Sequence, residues 1–280
     1  MVRLAVVVAL VATVAACKTR DRHSDAGTLP SRAPETAAES PRPSPIPPGK
    51  SPPPPGFVDL SDVDSTILLD IRYYTDHNFV GRRIDGYAAP RCLVTAQAAQ
   101  ALHGAQRSAN AQGLSLKMYD CYRPLRAGED FKRWGASLNE SEMKAEFFPS
   151  LSKSDVFRGG YVAGNRSPHS RGSTVDLTLV ALPPKPQRPF VKGEALVACT
   201  AAVSERFPDN TLDMGSGYDC FDTRSHTTDP RVTGPAKQNR LTLRQLMTAA
   251  GFRNNPSEWW HYSLIADPFP STYFDFPINP

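Results

Sequence analysis

The chain has 280 residues, of which 40% are hydrophobic and 21% charged, a composition typical of a globular protein. Its 27 prolines are about twice the usual share, and eleven of them lie between Pro30 and Pro55, which excludes that stretch from a packed core. The net charge of +4 arises mainly from residues 1–56, where seven Lys or Arg against four Asp or Glu give +3. The remainder carries +1, so the charge does not support binding to nucleic acid.

Residues 1–17 have the pattern of an export signal. Arg3 precedes an apolar run over residues 4–16, which at about 1.5 Å per residue is shorter than a bilayer core of about 30 Å. The run ends in Val14-Ala-Ala-Cys17, which resembles the lipobox of bacterial lipoproteins, where the cysteine is acylated; a plain signal peptide is the alternative. Lys18, rather than Asp, follows the cysteine, and the same resemblance then favours an outer-membrane anchor facing the periplasm.

Residues 18–56 have almost no apolar periodicity and include Pro52-Pro-Pro-Pro55. Such a composition cannot bury a core, so we predict a disordered, partly polyproline II linker. The linker would separate the anchor from a single domain over residues 57–280.

Four cysteines remain once Cys17 is assigned to lipidation: Cys92, Cys121, Cys199 and Cys220. An even number in an exported chain favours two disulfides, for which three pairings are possible. We expect the neighbouring pairs to join, Cys92 with Cys121 and Cys199 with Cys220.

Helices and strands alternate in the body without regular βαβ repetition, which predicts an α+β domain with a central antiparallel sheet flanked by helices. Apolar spacing predicts helices over residues 95–112, 125–138 and 241–250. It predicts strands over residues 67–70, 114–119, 173–180 and 259–264, the second of them half-buried.

Two polar segments can carry chemistry: Ser-Pro-His-Ser-Arg-Gly-Ser-Thr-Val-Asp over 167–176 and Glu-Trp-Trp-His-Tyr over 258–262. Zinc enzymes hold the metal with three nitrogen or oxygen ligands and keep a fourth position for water. His169, Asp176 and His261 could be those ligands.

Glu258 could then accept the proton of the attacking water. On a regular strand Glu258 and His261 would face opposite sides, so Glu258 must lie before the strand or at a bend. The spacing is only suggestive, since most histidines are structural and Glu258 could be a surface acid. Asp176 between Val175 and Leu177 is less easily explained, because a buried carboxylate is costly unless it is paired or metal-bound.

The motifs together resemble the D-alanyl-D-alanine dipeptidases of the VanX type. Besides the two segments, the resemblance covers Asp-Ile-Arg-Tyr at 70–73, Asp-Cys-Tyr-Arg-Pro at 120–124, Met-Gly-Ser-Gly-Tyr-Asp at 214–219 and Tyr-Phe-Asp-Phe-Pro at 273–277. It extends in order over residues 57–280. The family implies one zinc ion per chain, on the predicted sheet.

The resemblance also implies a role for each matching residue. His169, Asp176 and His261 match the zinc ligands, and Glu258 matches the general base. Arg123 matches the arginine that binds the scissile carbonyl oxygen. For the substrate, Tyr73 and Asp219 match residues that bind the free amine, and Ser167 matches one near the carboxylate.

The sequence departs from the family in two places. Cys121 replaces a glycine, and the segment over residues 181–198 looks longer than the corresponding loop, which leaves the substrate range open. We therefore expect zinc-dependent hydrolysis of D-Ala-D-Ala and similar D,D-dipeptides in the cell envelope. The alternatives are a D,D-carboxypeptidase or peptidoglycan endopeptidase, or a non-catalytic lipoprotein that binds wall peptides, for which His77 and His226 are the spare candidates for a fourth metal ligand.

Overall fold

The computed structural model describes residues 52–164 and 166–280, so the predicted signal with Cys17 and the predicted linker up to residue 51 lie outside the described residues. The helices are α1 (Leu60–Val63), α2 (Ala96–Asn110), α3 (Leu125–Ala136), α4 (Lys144–Phe147), α5 (Lys153–Arg158) and α6 (Gly234–Ala249). The strands are β1 (Phe57–Asp59), β2 (Leu68–Leu69), β3 (Leu93–Thr95), β4 (Leu114–Asp120), β5 (Thr174–Ala181), β6 (Phe252–Asn254) and β7 (His261–Leu264). Within these ranges, no helix has both the length and the apolarity needed to cross a membrane.

A five-stranded sheet with the order β2-β4-β5-β7-β6 forms the centre of the fold, and β1 and β3 form a separate two-stranded sheet. The pairs β4–β5, β5–β7 and β6–β7 are antiparallel, as predicted. The pair β2–β4 is parallel, so the expectation of a purely antiparallel sheet is wrong at this edge. A parallel pair needs a long crossover, which β3 and α2 supply between the two strands.

Strand β4 is buried on both faces, whereas its alternating pattern predicted a half-buried strand. Leu116 and Met118 lie in the core, and α2 packs against β4. On the other face Lys117 is also buried, because the segment after β5 covers it: its ammonium contacts Asp209 and Asn210. The polar residue Lys117 in the alternating pattern therefore marks a buried ion pair rather than a solvent-exposed face of the strand.

The helix boundaries follow the sequence signals where a cap or an apolar face is present. The Thr95 side chain accepts a hydrogen bond from the Ala98 N–H at the start of α2, as an N-cap does. By contrast, α6 begins at Gly234 rather than at residue 241. The sequence pattern missed its first two turns because they bury only Ala236 and Arg240 and so lack an apolar stripe.

The disulfides join Cys92 to Cys121 and Cys199 to Cys220, the pairing expected from the sequence. Their Cα atoms are 5.2 and 5.5 Å apart. The first bond ties the residue before β3 to the residue after β4. The second closes part of the segment over residues 182–222, in which there is no helix or strand.

Candidate active site

The register of the sheet gathers the predicted metal ligands. Asp176, the third residue of β5, is paired with His261, the first residue of β7. On its other side Asp176 is paired with Asp120, the last residue of β4. His169 lies in a 3-10 turn (Pro168–Arg171) just before β5. Directly opposed residues on neighbouring strands have Cβ atoms about 5 Å apart, so the polar side chains meet at one point.

Three ligand atoms face one another at the distances that a single ion requires. His169 Nε2 lies 3.3 Å from His261 Nδ1 and 3.3 Å from Asp176 Oδ1, and His261 Nδ1 lies 3.1 Å from the same oxygen. Ligands held tetrahedrally at about 2.0–2.1 Å from an ion are about 3.3 Å apart. Asp176 Oδ1 is buried and has no hydrogen-bond partner within the described part of the chain. These residues therefore fit a divalent metal ion.

The orientation of His169 is set by the backbone of the neighbouring strand. Its Nδ1 lies 2.8 Å from the carbonyl oxygen of Cys121, which can only accept a hydrogen bond. Nδ1 must therefore be the donor, and in the neutral ring this places the lone pair on Nε2, which faces the metal position. Such an outer contact fixes the ring and the tautomer of a ligating histidine.

The second oxygen of Asp176 is held by protein donors. Tyr218 Oη donates to Oδ2 at 3.0 Å, and Arg123 Nη2 lies 3.5 Å from it. Burial acts to raise the pKa of Asp176, but His169 and His261 outweigh it and hold the pKa below its usual range. Asp176 is therefore a carboxylate, the form that binds a metal.

Glu258 lies in the turn before β7, as the geometry predicted from the sequence requires. Its Oε2 is 3.3 Å from His261 Nδ1 and accepts a hydrogen bond of 2.9 Å from Asn255 Nδ2. Burial raises the pKa of Glu258 above its ordinary value. A carboxylate with a raised pKa beside a metal site is suited to accept and return a proton.

Arg123 follows β4 and is aimed into the same site. Its Nε donates to Asp120 Oδ2 at 2.9 Å, and its guanidinium lies over the Tyr73 ring, 4.9 Å from the centroid. Asp120 is fully buried and also accepts a 2.7 Å hydrogen bond from Tyr87 Oη. The guanidinium is thus a fixed cation, able to stabilise charge that develops on a substrate oxygen.

Asp219 and Tyr73 form a second polar group in the site. Tyr73 Oη donates to Asp219 Oδ2 at 2.8 Å, and both side chains are buried. Burial and the nearby Asp176 raise the pKa of Asp219 well above its ordinary value. An ammonium group brought by a ligand would supply the positive charge that this carboxyl lacks. Ser167 is also present, where its Oγ accepts from the His169 N–H at 3.3 Å and caps the 3-10 turn.

All eight predicted catalytic, metal and substrate residues line one cavity of about 140 Å³. A water needs about 10–15 Å³ on this measure, so the cavity has room for about ten water-sized groups, which suits a small dipeptide. Half of the other lining residues are aromatic: Phe79, Phe131, Tyr161, Phe221 and Trp260. Among the lining residues Gly160 and Ala163 are exposed, whereas Asp219 and Tyr73 are buried.

Three residues with clear contacts in the site had no role in the sequence analysis. Asp120 and Tyr218 lie inside the motifs quoted above. Their residue types alone did not show that Asp120 bonds Arg123 or that Tyr218 bonds Asp176. Asn255, which holds Glu258, precedes its motif by three residues. The spare histidines, His77 and His226, do not line the cavity; His77 instead bonds Arg72 and Glu146.

A buried metal-ligand set next to a proton acceptor and a fixed cation can add water to a carbonyl carbon. With a cavity of dipeptide size around it, the class of protein that this fold and site define is a metallopeptidase.

Comparison with known proteins gives the family. A family model described as D-ala-D-ala dipeptidase, of peptidase family M15, matches residues 54–183 and 187–279. The chain is 37% identical over 224 residues to a D-alanyl-D-alanine dipeptidase of Enterococcus faecalis, which covers 80% of this chain and 98% of that protein. It is 38% identical over 222 residues to the Streptomyces coelicolor enzyme of the same name, covering 79% and 98%. The Escherichia coli enzyme is 32% identical over 221 residues, covering 76% and 91%. The chain belongs to the D-Ala-D-Ala dipeptidase family.

Proposed function

We propose that this enzyme hydrolyses D-Ala-D-Ala and similar D,D-dipeptides, with one zinc ion per chain. The observation that carries the proposal is the orphaned Asp176 Oδ1, which lies 3.1–3.3 Å from a ring nitrogen of each of two histidines, with Glu258 beside one of them. The relatives are D-alanyl-D-alanine dipeptidases, which supports the choice of substrate.

His169, Asp176 and His261 would hold the metal. Two imidazoles and one carboxylate with an open position fit zinc better than the harder divalent ions, which prefer oxygen ligands. When bound, zinc lowers the pKa of a coordinated water and polarises a carbonyl group.

The protein itself supplies the proton transfers. Glu258 takes a proton from the attacking water and returns it to the nitrogen of the leaving D-alanine, because its raised pKa makes both steps possible. Arg123 donates hydrogen bonds to the carbonyl oxygen as negative charge develops there. Asp120 fixes the guanidinium in place, so little reorganisation is needed during the reaction.

The two ends of the substrate have different partners. The free ammonium would lie against Asp219 and Tyr73, and the carboxylate would lie near Ser167 on the side of the 3-10 turn. A buried carboxylate that accepts from an ammonium forms a charge-assisted hydrogen bond, which is about twice as strong as a neutral one.

The test is D-alanine release from D-Ala-D-Ala by the zinc-loaded full-length protein, with Glu258→Gln compared with Glu129→Gln. Glu129 is exposed on α3 and pairs with Lys132, so its substitution controls for the loss of a charge. We expect kcat to fall by about 10²–10⁴-fold in Glu258→Gln and to be unchanged in the control. No release by folded, zinc-bound wild type would overturn the proposal, and longer wall peptides would be assayed next.

We further propose that the enzyme is exported, acylated at Cys17 and anchored in the outer membrane, with residues 18–56 as its linker. The two disulfides support an oxidising compartment, since such bonds rarely persist in the cytosol. Cys17→Ala should shift the protein from the membrane fraction to the soluble periplasmic fraction. Equal fractionation of wild type and variant would refute the anchor.

A further inference from the structure

We propose that the two disulfides position different halves of the active site: Cys92–Cys121 orients the metal ligand His169, and Cys199–Cys220 orients the amine-binding Asp219. The assignment of these halves rests on the proposed function. The inference itself concerns what the disulfides hold in place, and it predicts that removing each one produces a different defect.

The first disulfide acts directly on the backbone that orients His169. Cys121 follows the last residue of β4, and its carbonyl oxygen is the acceptor for His169 Nδ1 at 2.8 Å. Asp120, the residue before it, has Oδ2 3.4 Å from the same nitrogen. A small displacement of the Cys121 peptide would therefore release the ring orientation that points Nε2 at the metal position.

The other end of this bond is firmly attached to the fold. The Cys92 carbonyl accepts from the Leu60 N–H at 2.9 Å, and the Leu93 carbonyl accepts from the Tyr122 N–H at 2.9 Å. Both cysteines are fully or almost fully buried. The bond thus connects the end of β4, where regular pairing stops, to a rigid neighbour.

The second disulfide acts on the backbone of Asp219. Asp219 has φ of +52°, the left-handed region that is unfavourable for residues other than glycine. Such a conformation persists where the surroundings impose it. Cys220 is the next residue, and its partner Cys199 accepts through its carbonyl from the Gly217 N–H at 2.8 Å, so the bond encloses Asp219 from both sides.

No regular secondary structure supports that part of the chain. Residues 182–222 contain no helix or strand, so the backbone at Asp219 is held by individual contacts, such as the Phe221 N–H donating to the Phe147 carbonyl, and not by a regular element. A disulfide across 21 residues removes much of the freedom of such a loop. Tyr73, which bonds Asp219, belongs to a separate 3-10 turn (Arg72–Tyr74) and is not held by either disulfide.

The experiment compares two double variants of the full-length protein, Cys92→Ala/Cys121→Ala and Cys199→Ala/Cys220→Ala. Alanine is chosen because the sites are buried and a serine hydroxyl would lack a partner there. The zinc Kd is measured by competition with a chromophoric chelator, and kcat and KM for D-Ala-D-Ala are measured at saturating zinc. Each variant is the control for the other.

We expect loss of Cys92–Cys121 to raise the zinc Kd by about 10–100-fold, with KM at saturating zinc within about threefold of wild type. Loss of Cys199–Cys220 should leave the zinc Kd within about threefold and raise KM by about tenfold or more, since a charge-assisted hydrogen bond is misplaced. Equal effects of the two variants on both constants, or no effect on either, would overturn the proposal.

Two additions keep the result interpretable. Native wild type can be partly reduced with a phosphine, alkylated and sorted by mass spectrometry, which opens one disulfide without a substitution and covers the case of a variant that does not fold. D-Ala-D-Ala binding can also be measured by calorimetry on Glu258→Gln combined with each double variant. Absence of turnover in wild type would then count against the proposed function, while the zinc and binding constants still test the disulfides.

Discussion

Asp176 divides its two carboxylate oxygens between two tasks. Oδ1 faces His169 and His261, whereas Oδ2 is held by Tyr218 and Arg123. The protein donors fix the plane of the carboxylate and leave the first oxygen for the ion. This explains why an acid can occupy the interior of β5, where it would otherwise cost several kcal/mol.

Arg123 gives the sharpest single-residue prediction. Arg123→Lys should lower kcat at saturating zinc by about 10²–10³-fold, because a lysine cannot both bond Asp120 as the guanidinium does and donate to the substrate oxygen. Arg126→Lys is the matched control, since Arg126 is exposed and pairs with Asp275. Equal kcat values for the two variants would show that Arg123 is structural.

A second buried charge group supports the segment after β5 rather than the reaction. Asp70 lies 2.9 Å from Arg72 Nε, 3.5 Å from Lys117 Nζ and 3.1 Å from Gln187 Nε2. Burial acts to raise the pKa of Asp70, but Arg72 and Lys117 outweigh it and lower the pKa to about 2. The group therefore stabilises the fold in its ionised form.

The pH dependence of stability follows from that shift. Because the folded pKa lies below the unfolded value of about 4, the contribution of Asp70 is complete above pH 4 and is lost as the pH falls toward 2. Asp70→Asn should remove about 2 kcal/mol of the free energy of unfolding at pH 7. The difference from wild type should shrink at pH 3 in urea titrations; a difference that is constant with pH would contradict this.

At the scale of elements, the 3-10 turn that carries His169 depends on Gly172. Gly172 has φ of +82°, and a Cβ at this position would overlap the ring of Phe57 in β1. Gly113, at φ of +71° after α2, has open space around the same position. The two glycines thus share a backbone conformation and differ in packing.

Substituting alanine for each glycine separates the energetic cost of the backbone conformation from the cost of packing. Gly113→Ala should cost about 1–2 kcal/mol from the left-handed backbone alone. Gly172→Ala should cost a further 1–3 kcal/mol, approximately, from overpacking against Phe57 and should also weaken zinc binding, because the turn moves with His169. Chemical denaturation of both variants checks the prediction. Equal losses in the free energy of unfolding would mean that the Phe57 ring moves aside at no measurable cost.

The elements that the sequence predicts are those with a local signal. Thr95 caps the start of α2, and alternation locates β4 and β5. The parallel pairing of β2 and the early start of α6 carry no such signal, because both are decided by contacts distant in the chain. The burial of Lys117 is likewise decided by residues distant in the chain, Asp209 and Asn210.

At the scale of the whole molecule, the family motifs bring the predicted site residues into one cavity, although they are separated by up to 188 positions between Tyr73 and His261. Spacing alone could not do this, since Asp120, Asp176 and His261 meet only through the register of three strands. The contact that orients His169 is to the backbone carbonyl of Cys121 and leaves no mark in residue type.

The shape of the cavity predicts how the enzyme treats a blocked substrate. N-acetyl-D-Ala-D-Ala lacks the ammonium that Asp219 and Tyr73 would bind and adds an acetyl group beside these two buried side chains. We expect kcat/KM to fall by about 10³-fold or more relative to D-Ala-D-Ala, since an unpaired buried carboxyl adds to the steric cost. Comparable rates for the two compounds would favour the carboxypeptidase alternative.

The proposed ammonium site at Asp219 and Tyr73 also bears on the safety of the enzyme for the cell. A hydrolase placed among structural peptides of the wall could damage the polymer that protects it. With Asp219 and Tyr73 binding the substrate ammonium as proposed, the enzyme would distinguish loose fragments from anchored chains by whether the amino terminus is free.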